Sequence, residues 1–302
     1  MIKSLSDSSL KNYNVSLKKW WSFCSRNSID TFNPSIANIL SFLTEEYNKN
    51  LSHSTLNSMK SAIALIVKED IGNNEHIKRF FKGISNTRPL RPKYTYTWDP
   101  KIVLDFFRKQ PTNENLSLRE ISRKLITLLA LITAHRMQTF ASIELNNIIV
   151  TKENILIKVP ARLKTSRKNS NQPLLVLPFY NEETNLCVAS TLIKYIEITK
   201  TIRKDTEKLF ISTQKSYNAA SVETLSRWTK DTLHSSGINT EVFSAHSTRH
   251  ASTSAAKRLG VDLELIRKTA GLTDNSATFA KFYNREIVSN TQEYALRIFQ
   301  NK

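Results

Sequence analysis

Residues 244–256, SAHSTRHASTSAA, hold His246, Arg249 and His250 within five positions of an otherwise Ala/Ser-rich stretch that reads as a helix. His246 and Arg249 stand three apart, so on a helix they share a face and could reach one anion together. Three chemistries compete for this cluster: metal ligation, catalysis at an anionic group, or a solvated helix face. Metal ligation fits worst. His246 and His250 make a His-x3-His pair, but no glutamate follows the first histidine as in HExxH, and no cysteine or third ligand stands near.

Three more residues have settings that could carry chemistry. Arg136 follows His135 in LITLLALITAHRMQTFASIEL, an apolar helical run in which a charge is costly unless paired. Taken alone, Arg136 reads as a structural ion-pair partner. Lys164 stands where a strand ends in ARLKTSRK, and taken alone is one lysine among many on a turn. Tyr283, in TFAKFYNREI, taken alone is a core tyrosine.

The elements that must position these residues can be read from periodicity. Residues 1–87 predict four helices. SDSSLKNYNVSLKKWWSFCSRN places Leu10, Tyr13, Leu17, Trp20 and Trp21 at helical spacing behind hydroxyl and acid caps. PSIANILSFLTEEYNKN starts on Pro34, suited to a first helical turn. SHSTLNSMKSAIALIVKED aligns Leu56, Met59, Ile63 and Ile66, and NEHIKRFFKGIS is short and basic. The Trp and Phe residues of this all-α domain follow the helical stripe and read as core rather than base-stacking platforms. NTRPLRPKYTYTWDP, with two prolines and alternating Thr and aromatic residues, predicts an extended linker at about 88–98. Domains of 1–92 and 99–302 follow, the alternative being an internal loop of one domain. The second domain opens with helices near 99–110 and 117–134. A β-hairpin or small meander comes next, in which ILIKVPARL and PLLVLPF flank the polar turn KTSRKNSNQ. Five further helices complete an α+β domain dominated by helix: NLCVASTLIKYIEITK, VETLSRWTKDTLHSSG, SAHSTRHASTSAAKRLG, DLELIRKTAG and ATFAKFYNR.

Composition narrows the function. The 302-residue chain carries 44 Lys+Arg against 26 Asp+Glu, a formal net charge of +18. Residues 1–98 hold 14 basic and 7 acidic side chains, a net +7, leaving +11 for 99–302. Two basic domains point to a long polyanion touched by both, with nucleic acid the first candidate. Cys24 and Cys187 are the only cysteines, which argues against a disulfide scaffold or a zinc module. None of the five glycines forms a phosphate-cradling GxGxxG or GxxxxGK[ST] loop, so a nucleotide-driven enzyme is disfavoured. The N-terminal MIKSLSDSSLKNY has no apolar h-region, and no run approaches the length of a membrane span. The sequence reads as that of a soluble intracellular protein with no cofactor, no metal and no membrane partner.

In this order, Arg136, Lys164 on a β-turn, the His246-x-x-Arg249 pair and a late Tyr283 resemble the tyrosine recombinase family of DNA strand-exchange enzymes. The likeness is nearest to its eukaryotic mobile-element branch, the crypton and DIRS-type recombinases. AHRMQTFASI, LKTSR, AHSTRHASTSAAKRLGVDLELIRKTAG and ATFAKFYNREI carry it, with LSHSTLNSMKSAIALI and YTYTWDP adding to it, so it spans nearly the whole chain. The two-part motif HSTRH…TFAKFY is the specific element. The resemblance implies an N-terminal helical core-binding domain, an α+β catalytic domain, and metal-independent breakage and rejoining of double-stranded DNA. It implies that Arg136 and Arg249 grip the non-bridging oxygens of the scissile phosphate, which suits bidentate guanidiniums. It further implies Tyr283 as nucleophile forming a 3′-phosphotyrosine, His246 as general base, and Lys164 as donor to the leaving 5′-oxygen. His250 is read as support. A homo-tetramer on paired DNA sites, a dimer on one site and a nuclear location complete what it implies.

Two positions depart from the family pattern. Thr139 stands where glutamate is frequent, and Leu272, in TAGLTD, where histidine or tryptophan would donate to the phosphate. Leu272 leaves open a catalytically weakened DNA-binding protein derived from a recombinase. A type IB topoisomerase is a further alternative, against which the short helical N-terminal domain argues. After Tyr283 the chain continues through Ile287, Tyr294, Leu296, Ile298 and Phe299, too apolar for a simple solvated end. That tail either packs on its own domain or, as the resemblance implies, is passed to a neighbouring subunit.

Overall fold

The computed structural model of the protein describes residues 5–89, 93–159, 174–272 and 285–287. Lys164, Tyr283 and the tail from 288 onward lie outside the described residues. The chain divides into two compact units, Met1–Pro92 and Lys93–Lys302.

The first unit consists of α1 (Asp7–Arg26), α2 (Ile36–Asn48), α3 (His53–Ile63) and α4 (Glu75–Thr87). Each starts on a side chain that accepts a backbone N–H: Ser6, Ser35, Ser52 and Asn74. Trp20, Phe23 and Phe42 pack ring against ring at the centre, with Ile39, Leu43, Leu56 and Met59 around them. Three expectations change here. Pro34 precedes the cap rather than opening the helix, because the Ser35 hydroxyl takes the Asn38 N–H and sets the start. The third helix ends at Ile63, with Ala64 as its C-cap and turns following. Trp21 is 60 % exposed, since a helical neighbour of buried Trp20 lies about 100° around the axis and faces water.

The second unit is built on α6 (Leu118–Thr133), opened by a Ser117/Glu120 capping box. Almost every residue from Ile121 to Leu131 is buried, because α6 packs against α8 (Val188–Lys200), α9 (Val222–Ser235) and α10 (Ser247–Arg258). Flanking it are α5 (Pro100–Arg108), the short α7 (Met137–Ala141) and α11 (Leu263–Thr269). β2 (Ile148–Val150), β3 (Asn154–Lys158) and β4 (Leu174–Pro178) form an antiparallel meander in which Ile155, Ile157, Leu175 and Leu177 turn inward. β2 had no clear signal in the sequence. A second, two-stranded pairing is parallel and non-local: β1 (Tyr96–Thr97) with β5 (Glu286–Ile287).

The expected linker at 88–98 is corrected by this unit. Thr97 and Trp98 are buried, and the Trp98 indole donates to the Ser247 hydroxyl at 2.8 Å. Lys93 donates to the Glu241 carbonyl, Tyr94 meets His250, and Asp99 pairs with Arg258. Residues 93–98 are held against α10 and the turn before it and belong to the second unit, whose compact body begins at Lys93 rather than 99. Burial does not follow the alternation: adjacent Thr97 and Trp98 are both covered, while Tyr96 stays exposed.

Candidate active site

The apolar run leading to Arg136 does not continue as one helix. α6 stops at Thr133, and Ala134 adopts the left-handed conformation (φ +50°) while its N–H bonds to the Ala130 carbonyl. The chain then turns through His135 into extended backbone at Arg136, which caps α7. Arg136 is therefore at a break rather than inside a helix, and has no carboxylate partner among the described residues. The ion-pair reading of Arg136 has no partner to rest on there.

The break faces the start of α10. A pocket of about 220 Å³ is lined by His135, Arg136, Met137, Gln138, Val222, Ser226, Ala245, His246, Thr248 and Arg249. Three of the residues singled out in the sequence, Arg136, His246 and Arg249, thus share one cavity. His246 occupies the N-cap position of α10, and Arg249 stands in its first turn, 1 % exposed. The positive end of the helix and two guanidiniums converge on the same space, an arrangement that favours an anion.

The histidines around this pocket are held neutral. Burial, then the charges of Arg249 and Arg136, push His135 down to about 4, against a backbone contact with Thr269. Desolvation, then Arg249, Arg136 and Arg285, push His246 down to about 4. His246 is exposed overall, so water screens part of that effect. Burial and then Arg285 push His250 to about 3. A neutral imidazole at 246 can accept a proton at pH 7.

His250 lines no wall of the pocket. Its ring stands edge-on to His246 at 5.3 Å, and its Nδ1 is 3.1 Å from the Tyr94 hydroxyl. Leu272 packs with Ala256 against Ile266 in a small apolar cluster. Thr139 is buried, and its N–H bonds to the Arg136 carbonyl within α7. No group of three or more His, Cys, Asp or Glu with metal-binding geometry occurs among the described residues. Among them, too, no helix is long and apolar enough to cross a membrane.

Sequence reasoning passed over four contributors. His135 lines the pocket beside Arg136, and Gly271 lies against its ring. Tyr94 and Trp98 bind the first turns of α10. Only the strand-like alternation of YTYTW hinted at the last two.

A helical unit followed by a mainly helical unit with a small meander and an Arg–His–Arg pocket is the layout of a tyrosine recombinase. Residues 108–288 match the model of the phage integrase family. The chain belongs to that family. No curated protein matches the chain. Among solved structures it is similar to the XerH site-specific recombinase bound to palindromic difH substrate in a post-cleavage complex. Identity there is 14 %, covering 96 % of this chain and 80 % of that one, with a TM-score of 0.61. A lambda integrase (75–356) dimer bound to a COC′ core site is 12 % identical, with 95 % and 92 % covered and a TM-score of 0.55. The Tn1549 transposon integrase in complex with transposon right end DNA is 14 % identical, with 87 % and 84 % covered and a TM-score of 0.54. At these identities the likeness is one of fold.

Proposed function

We propose that the protein cleaves and rejoins double-stranded DNA at specific sites through a 3′-phosphotyrosine, with Arg136, Lys164, His246, Arg249 and Tyr283 as its working residues. The observation that carries this reading is the single pocket in which Arg136, neutral His246 and Arg249 meet at the N-terminus of α10. Attack on a phosphodiester builds charge on the non-bridging oxygens of a five-coordinate phosphorus. Preorganised guanidiniums aimed at that charge supply the largest catalytic term in such sites. The Tyr283 oxygen bonds to phosphorus as the bond to the 5′-oxygen breaks. A phenol has a pKa near ~10, so His246 takes its proton and Lys164 protonates the departing 5′-oxygen. The phosphotyrosine conserves the bond, so the same steps run backwards rejoin a strand.

The finer reading places the enzyme in the crypton and DIRS-type mobile-element branch, acting in the nucleus. It binds one site as a dimer and pairs two sites in a tetramer. Two solved lambda integrase structures of this fold support that assembly: a dimer bound to a core site and a tetramer bound to a Holliday junction.

One observation favours a second reading. Leu272 is held in an apolar cluster and cannot donate to a phosphate, which would suit a DNA-binding protein that has lost catalysis. A nicked suicide duplex separates the two. Covalent protein–DNA complex that disappears in Tyr283→Phe and persists in Tyr294→Phe supports the enzyme. Tight binding with no covalent product from the unmodified protein supports the second reading.

A further inference from the structure

We propose that Tyr94 is a positioning residue for the reaction: its hydroxyl fixes the ring of His250, and the His250 ring in turn fixes that of His246. This rests on the reading of His246 as the general base.

The need for such a support comes from His246 itself. It stands at the N-cap of α10, yet its side chain makes no capping bond to the first turn. Among the described residues nothing hydrogen-bonds its imidazole, and its one ring contact is with His250, edge-on at 5.3 Å. A general base works only while its ring keeps within hydrogen-bond reach of the proton it takes. An exposed imidazole turns about two side-chain bonds and leaves that position unless something abuts it.

His250 can serve as the abutment because it is itself held. It lies one turn further along α10 and is buried, and its Nδ1 is hydrogen-bonded to the Tyr94 hydroxyl at 3.1 Å. The Tyr94 ring is fixed on two sides. It meets buried Phe243 edge to face at 4.9 Å, and the Arg285 guanidinium covers it at 4.3 Å. A phenol so placed presents its hydroxyl at one point. The cation over the ring draws electron density from the oxygen and favours the phenol as donor, which leaves the proton of neutral His250 on Nε2. Burial holds the Tyr94 hydroxyl above the ordinary phenol range, against the pull of Arg285, so it keeps its proton at neutral pH. One tautomer and one orientation of His250 give His246 one surface to pack against. The same segment makes a second tie to α10, from the Trp98 indole to the Ser247 hydroxyl, which ends on a serine rather than on either ring. That tie is the control for a role that is merely structural.

The test uses the full chain. Tyr94→Phe removes the hydroxyl and keeps the ring on Phe243. Histidine-selective NMR without DNA should show His250 Nδ1 losing its hydrogen-bonded shift and the order parameter of the His246 ring falling, whereas Trp98→Phe should leave both unchanged. On a nicked suicide duplex, Tyr94→Phe should slow covalent complex formation by about tenfold while DNA affinity stays within about twofold. In a His250→Phe background, adding Tyr94→Phe should slow the reaction no further, because the path through His250 is already cut. An unmoved His246 ring in Tyr94→Phe, or an undiminished loss of rate in the His250→Phe background, would overturn the proposal while covalent trapping by the unmodified protein still stood. If the unmodified protein forms no covalent complex, the reading of His246 as base fails first and the positioning role falls with it.

Discussion

The ring of His135 rests against the backbone of Gly271: a β-carbon at 271 would lie 2.8 Å from His135 Cε1. Gly271 also has φ +57°, a conformation that side chains disfavour. Gly271→Ala therefore meets both strain and a clash with the residue preceding Arg136. We expect a loss of about 1–3 kcal/mol in stability, measured by denaturant unfolding. Covalent trapping should fall by more than DNA binding, because the displaced turn carries Arg136. Adding His135→Ala should restore part of the stability by opening space for the methyl group.

Removing Lys93–Trp98 should loosen the second unit around α10. A fragment of 93–302 keeps the Trp98–Ser247 bond and the Tyr94–His250 contact, whereas 99–302 loses both. Circular dichroism and hydrogen exchange should find 93–302 folded and 99–302 loosened around α10. Trp98→Phe in the full chain leaves the buried Ser247 hydroxyl without its indole donor, a cost of about 1–2 kcal/mol.

Acid should destabilise the second unit early. Unfolded histidines protonate near the ordinary value of 6.5, but His135 resists to about 4 and His250 to about 3, both through burial first. Between those limits the unfolded chain binds more protons, so stability rises with pH. The full contribution is present above about pH 6.5 and drains as pH falls towards 3. Urea midpoints measured from pH 7 to 4 should shift downward, and His135→Gln/His250→Gln should flatten the slope.

His246 should respond to DNA. Its value of about 4 reflects desolvation and then the nearby guanidiniums. A phosphate between Arg136 and Arg249 would offset those charges and raise the value by about one unit or more. Histidine-selective NMR titration with and without duplex checks this, and Arg249→Ala should raise the value without DNA.

Ala134 stores strain at φ +50° beside the site. Ala134→Gly should stabilise by up to about 1 kcal/mol, and Ala134→Val should destabilise, both read as changes in Tm. Cleavage should not improve in the glycine variant, since a freer turn holds Arg136 less firmly.

DNA affinity should depend steeply on salt. With +18 formal charges spread over both halves of the sequence, six or more phosphate contacts would give a log–log slope of about −5 or steeper. Fluorescence anisotropy between 50 and 200 mM salt, about the usual range for this measurement, reads the slope directly.

Much of this protein is written in local sequence. The four helices of the first unit and α6, α8 and α9 each carry an apolar stripe at helical spacing, and the first-unit helices, α6, α9 and α11 start on Ser, Asn or Asp caps. Residue type alone did not select the chemistry: Arg136, Lys164 and Tyr283 taken singly read as structural, and only their order and the family resemblance pointed to a phosphate. What local pattern could not reveal was set by contacts between distant segments. Ala134 interrupts an unbroken apolar run because the chain must leave α6 to bring Arg136 to a helix about a hundred residues later. Trp21 faces water beside buried Trp20, and Leu272 joins an apolar cluster, because neighbouring elements decide which face of each is covered. YTYTW carries the composition of a linker, yet its aromatic residues are fixed by Ser247 and His250, some 150 positions on. The sequence determined which residues are present and which helices hold them. Which of them share a pocket was decided only when the buried surfaces of distant elements closed on one another, because burial is a property of the whole packed unit and not of any stretch within it.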